Sequence, residues 1–114
     1  MDAQVRRYPS VEEFAAAAEV LKLVADPTRL HLLWALVAGE HTVSALAETV
    51  GARPASVSQH LAKLRLGNLV GTRREGNRVH YSLANDHVAR LVRESILEAD
   101  HLVGGAQHHH RGSR

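Results

Sequence analysis

The stretch Ala55–Gly67, ASVSQHLAKLRLG, constrains the fold more than any other part of the chain. Val57, Leu61 and Leu64 fall at i, i+4 and i+7, the apolar stripe of one short helix. Ser56, Gln59, His60 and Lys63 fall on the opposite side, and the stretch holds no acidic residue. A surface helix without a task more often mixes Glu with Lys. Two readings stand at this point: a plain solvated face, or a face of hydrogen-bonding groups that reach base edges and phosphates.

Charge favours the second reading. The 114 residues carry a net charge of only +2, but it is unevenly spread. Residues 51–83 hold six basic side chains (Arg53, Lys63, Arg65, Arg73, Arg74, Arg78) against one acid, Glu75, whereas residues 1–50 hold four basic and seven acidic side chains. A basic segment coincident with a polar-faced helix is the footprint of a nucleic-acid reader.

Length and composition set outer limits. A chain of 114 residues makes one domain, small for burying a large core, and such chains often complete the core by dimerising. There is no cysteine, which excludes disulfides and thiolate metal sites. No apolar run approaches the ~20 residues of a membrane span. The first residues, MDAQVRRYPS, lack the apolar core of a signal peptide, and a cytoplasmic location is expected. No nucleophile–base arrangement is visible, so an enzyme is not expected.

The flanking segments organise around the central helix. Ser10 and Glu13 have capping-box spacing, and a helix should follow to about Leu23, with Phe14, Ala17, Ala18 and Leu21 in a stripe that suits a core or a dimer. Asp26 and Pro27 start a second helix, with Leu30, Leu33, Trp34 and Val37 placed inward and Trp34 as a core anchor. His31 reads as a structural residue near that core, and His41 as an exposed turn residue. Thr42 caps a third helix, Val43 to Val50, closed by Gly51. Two short helices joined by a Gly-containing turn form a helix-turn-helix, whose second helix enters the major groove.

Leu69–Arg74 and Arg78–Leu83 then read as two strands joined by the turn Glu75-Gly76-Asn77, with three arginines at or beside the tip. Arginine there serves a DNA-contacting wing or protects an edge strand. Asn85 or Asp86 caps a last helix to about His101 or Leu102, whose apolar stripe suits pairing with a second copy. The fold expected is mainly α with one β-hairpin, a homodimeric winged helix-turn-helix of order α-α-α-α-β-β-α. Residues 1–9 and the His-rich 104–114 flank a domain spanning 10–103.

These motifs together resemble the ArsR/SmtB metal-responsive regulators. The resemblance rests on Leu23-Val24-Ala25-Asp26-Pro27-Thr28-Arg29-Leu30, Val43-Ser44-Ala45-Leu46-Ala47, Ser56-Val57-Ser58-Gln59-His60-Leu61-Ala62-Lys63-Leu64, and Leu69-Val70 through Tyr81-Ser82-Leu83. It implies a dimer on a palindromic double-stranded operator, with DNA affinity changed by an effector. It places DNA contacts on Ser56, Ser58, Gln59, His60 and Lys63, and on Arg73, Arg74 and Arg78 of the wing.

The effector is sought among nine histidines. His87 and His101 stand 14 residues apart on one helix, ~21 Å at the helical rise, so no single metal can take both from one chain. Two antiparallel copies would bring His87 of one subunit to Asp100 and His101 of the other. Ordinary polar helix ends are the competing reading. Some relatives are similar in placing His and carboxylate ligands on the last helix across the dimer. Without cysteine, the family's thiolate sensors are not matched; imidazole and carboxylate suit Ni(II), Co(II) and Zn(II). His108, His109 and His110 could raise coordination toward six and favour Ni(II) or Co(II), as in the nickel/cobalt branch, or could scavenge metal independently. Asp86 is the weaker candidate, because it adjoins His87 where the zinc-sensor pattern has one residue between carboxylate and His. A zinc-responsive regulator and a metal-independent regulator controlled by a partner protein are the alternatives.

Overall fold

A computed structural model describes residues 7–104. The expected tail ligands His108, His109 and His110 lie outside the described residues, as does most of the expected N-terminal arm.

Each helix starts where its local chemistry dictates. Helix α1 (Val11–Val24) opens on a complete capping box, the Ser10 hydroxyl accepting from the Glu13 N–H and the Glu13 carboxylate from the Ser10 N–H. Helix α2 (Pro27–Val37) is capped by Asp26, with Pro27 in the first turn. Helix α3 (Val43–Val50) is capped by Thr42 and closed by Gly51 in the left-handed conformation, φ 69°. Helix α4 (Pro54–Leu66) is the central stretch, and Asn68, at φ 62°, turns the chain out of it. Strands β1 (Val70–Glu75) and β2 (Arg78–Leu83) form an antiparallel hairpin. Helix α5 (Asp86–Ala99) is capped by Asn85 and runs on into a π-helical turn, Asp100–Gly104.

The core is one cluster. Leu32, Leu33 and Leu36 of α2 meet Leu46 and Ala47 of α3, Val57, Leu61 and Leu64 of α4, Val70 of β1, and Val88 and Val92 of α5. All three stripe residues of α4 are fully buried, so this helix is seated by the face its spacing predicts. Burying each such side chain is worth about 1.5–3 kcal/mol.

Several expectations need correction. Trp34 is 45% exposed and is not a core anchor. The buried face of α2 is Leu32, Leu33 and Leu36, which rotates Trp34 and His31 to the outside. His41 is half-buried and pairs with Tyr81 through two backbone hydrogen bonds of 3.0 and 2.8 Å, extending the hairpin by one bridge. The hairpin turn is the two-residue Gly76-Asn77, since Glu75 pairs with Arg78. The last helix is helical past His101 as expected, but it changes from α to π geometry at Asp100, and its first half belongs to the core through Val88 and Val92. By contrast, the alanine-rich stripe of α1 stays outside: Phe14 is 53% and Leu21 54% exposed. No described helix is long and apolar enough to cross a membrane.

Candidate nucleic-acid interface

The buried stripe of α4 turns its other side outward. Ser58, Gln59 and Lys63 are exposed, Ser56 is half-buried, and Arg53 and Arg65 stand exposed at the two ends. None of Arg53, Lys63 or Arg65 has an ion-pair partner among the described residues, which leaves these cations available to an anionic partner. Arg53 and Arg65 belong to the basic segment, but residue type alone does not make them site residues. Their position at the ends of the outward face is what marks them.

His60 differs from its neighbours. Its side chain is only 23% exposed, and its Nδ1 lies 3.3 Å from an Arg29 guanidinium nitrogen and 3.9 Å from Asp26 Oδ2. Arg29 is itself fixed: its Nε donates to the Leu23 carbonyl at 2.6 Å, and its backbone N–H donates to Asp26 Oδ2 at 3.0 Å. That backbone N–H is the chief cause holding the Asp26 carboxyl below its ordinary pKa; burial opposes it, and the charge of Arg29 reinforces it. Arg29 was legible only as part of a motif, because it meets His60 across 31 residues of sequence.

The wing arginines divide. Arg74 and Arg78 are exposed near the tip with no ion-pair partner among the described residues. Arg73 instead grips Glu40, the segment before α3, with Nε 3.0 Å from both carboxylate oxygens and a terminal nitrogen 2.6 Å from one of them. This hydrogen bonding lowers the Glu40 pKa and raises that of Arg73. Arg73 thus ties the hairpin to the body of the domain. Beside it, His80 Nε2 lies 3.3 Å from Glu75 Oε1 yet is buried without a hydrogen-bond partner.

The second group of candidates lies on α5. Asp86, His87, Asp100 and His101 are all exposed. Asp86 and His87 open the helix, while Asp100 and His101 occupy the π-helical turn that follows it. The Asp100 carboxylate lies over the end of that turn, where a Cβ on Gly104 would meet its Oδ1 at 2.8 Å. Among the described residues, no three His, Asp or Glu side chains of one chain converge as a metal site. Leu97, Leu102 and Val103, on the same segment, are 59%, 71% and 64% exposed.

Comparison with known proteins agrees with this geometry. A sequence profile described as a helix-turn-helix domain matches residues 24–73. The HTH-type transcriptional regulator KmtR of Mycobacterium tuberculosis is 44% identical over 102 residues, 90% of this chain and 78% of that protein. NmtR, another HTH-type transcriptional regulator of M. tuberculosis, is 40% identical over 97 residues, 84% of this chain and 80% of that protein. A transcriptional repressor SmtB homolog of Synechocystis is 42% identical over 93 residues, 82% of this chain and 68% of that protein. Among solved structures, the homodimeric winged helix-turn-helix DNA-binding domain of Mb0332 from Mycobacterium bovis, a possible ArsR-family regulator, superposes with a TM-score of 0.73 at 36% identity, covering 83% of this chain and 91% of that one. NolR from Sinorhizobium fredii gives 0.69 at 38% identity, covering 86% and 97%. With its winged reading head, its motifs and these relatives, the chain belongs to the ArsR/SmtB family of winged helix-turn-helix transcriptional regulators.

Proposed function

We propose that two copies of this chain bind a palindromic operator and that a divalent metal, Ni(II) or Co(II), held between the two α5 helices, switches that binding. The observation that carries the metal reading is the arrangement on α5. His87 stands exposed at one end, Asp100 and His101 at the other, and the segment between and beyond them exposes Leu97, Leu102 and Val103. Antiparallel pairing of two such helices covers the apolar residues and brings the ends together. The outward stripe of α1, with Phe14 and Leu21, offers further apolar surface for the same dimer.

The donor set fits the metal class. Imidazole and carboxylate are ligands for Ni(II), Co(II) and Zn(II), and a chain without cysteine has no thiolate for softer ions. His108, His109 and His110 would complete a six-coordinate shell, which Ni(II) and Co(II) favour over Zn(II). When bound, the metal supplies a fixed bridge between subunits. The protein's own residues do the rest: α5 reaches the core through Val88 and Val92, so a change in the dimer angle moves the body that carries α4. The two α4 helices must match successive major grooves, about 34 Å apart, and a coupling of about 1–3 kcal/mol suffices for a useful switch. The relatives include named repressors, and we read this chain as a repressor.

The test is operator binding with and without Ni(II) or Co(II). His87→Ala and His101→Ala should abolish the metal response and leave metal-free DNA binding intact. An unchanged response in both variants contradicts the assignment. Intense tetrahedral Co(II) absorption bands would replace the Ni/Co reading with zinc.

A further inference from the structure

The half-buried ring of His60 is on the outward-facing helix α4, yet one of its nitrogens is held from inside the domain. Arg29 approaches Nδ1 to 3.3 Å with a guanidinium nitrogen. Guanidinium has five N–H donors and no acceptor. A hydrogen bond between these atoms therefore requires a bare lone pair on Nδ1. A neutral imidazole with a bare Nδ1 carries its proton on Nε2. Asp26 does not compete for Nδ1, because its Oδ2 stands 3.9 Å away and already accepts from the Arg29 backbone at 3.0 Å.

We propose that Arg29 is a positioning residue that fixes the tautomer of His60, so that α4 presents Nε2–H as a fixed hydrogen-bond donor to an acceptor on a base edge in the major groove. This rests on the reading of α4 as the DNA-recognition helix. Three observations support it. Arg29 is clamped before it reaches His60, by Leu23 O at 2.6 Å and by the Asp26 cap, so it does not have to be ordered on DNA binding. His60 Nε2 has no protein partner among the described residues, and it is not among the buried unpartnered atoms. The α1–α2 junction also holds the far end of α4, since a Cβ on Gly67 would collide with Leu23 Cδ1. The junction thus grips α4 at both His60 and Gly67, and sets the ring's orientation as well as its proton.

A neutral imidazole can show either a donor or an acceptor to a base. Thymine O4 and guanine O6 and N7 are acceptors, whereas the exocyclic amines of adenine and cytosine are donors. Fixing the proton on Nε2 turns an ambivalent group into one that selects acceptors. The contribution of Arg29 is to specificity, and it touches no DNA itself.

Two measurements on the full-length protein test this. The first is the nitrogen chemical shifts of the His60 imidazole in 15N-labelled protein, assigned by their disappearance in His60→Gln. The proposal expects the proton on Nε2 and a bare Nδ1 in the wild type, and a mixture of tautomers in Arg29→Met. A wild-type ring protonated at Nδ1 overturns it, and this result needs no variant of Arg29 to fold. The second uses duplexes that the wild-type protein enriches from a random pool, with each base pair replaced in turn. Wild type should lose about tenfold in affinity at one position per half-site, and Arg29→Met should lose less than about twofold there. Equal discrimination by the two proteins overturns the proposal. A wild-type protein that enriches no sequence overturns the DNA-reading role and this proposal together, whereas intact enrichment with the wrong tautomer overturns this proposal alone.

Discussion

The division among the wing arginines leads to a quantitative prediction about salt. Arg53, Lys63, Arg65, Arg74 and Arg78 face outward without ion-pair partners among the described residues, while Arg73 is held by Glu40. Each cation that meets a phosphate releases counterions and adds about 0.9 to the slope of log affinity against log salt. If all five meet phosphates in both subunits, the slope is about −9. Arg78→Ala removes two such contacts per dimer and should make the slope shallower by about 1.8. Over a fourfold rise in salt, that is a difference of ~12-fold in the affinity lost. Arg73→Ala should change the slope by less than about 0.5, because its guanidinium is already neutralised within the domain. Glu40→Gln should loosen Arg73, leaving it only the 3.6 Å contact with Glu75, and steepen the slope. Fluorescence anisotropy on one operator duplex between about 50 and 200 mM salt reads all three. If Arg73→Ala flattens the slope as much as Arg78→Ala does, the Glu40 bond does not hold Arg73 away from DNA and the reasoning fails.

Two further predictions concern the scaffold. Glu13, Asp26 and Glu40 all have depressed carboxyl pKa values, caused first by the Arg7 side chain, the Arg29 backbone N–H and the Arg73 side chain respectively. Groups depressed in the folded state contribute stability above their unfolded pKa values, near about 4, and lose it as pH falls through the folded values. Thermal stability should therefore decline below about pH 4, and Asp26→Asn should weaken that decline in a melting series; an unaltered decline would remove Asp26 from the account. Replacing Phe14 or Leu97 by Glu places a charge on the exposed apolar surface assigned to the proposed dimer. Sedimentation should then show monomer, with operator binding weakened, whereas an intact dimer in both variants would locate the interface elsewhere.

Much of this was legible in the sequence, for identifiable reasons. The stripe Val57, Leu61 and Leu64 has strict helical spacing with polar residues between, so its buried face was unambiguous. Ser10, Asp26, Thr42 and Gly51 act through the nearest backbone groups, and each cap forms where local chemistry places it. The inward face of α2 is not legible in the sequence, because the helix is apolar at almost every position from Leu30 to Val37, apart from His31. Periodicity then cannot choose a face, and packing against α3, α4 and α5 chose Leu32, Leu33 and Leu36 over Trp34. A single bridging residue such as His41 leaves no alternation to detect. The pairs Arg29–His60 and Arg73–Glu40 span 31 and 33 residues, and a single sequence carries no signal for such contacts. On α5 the ligand candidates follow from residue type and spacing, while the π-helical turn that carries Asp100 and His101 does not.

The most direct measurement of the central claim is metal binding by mixed dimers. His87→Ala and His101→Ala homodimers should each lose Ni(II) or Co(II) binding at the α5 sites. A heterodimer of the two variants pairs the intact His87 of one subunit with the intact His101 of the other. The account predicts that this heterodimer recovers one of the two sites, and with it half the metal stoichiometry of the wild type and a partial response of operator binding. A heterodimer that binds no more metal than its parents would contradict a site shared between the two α5 helices.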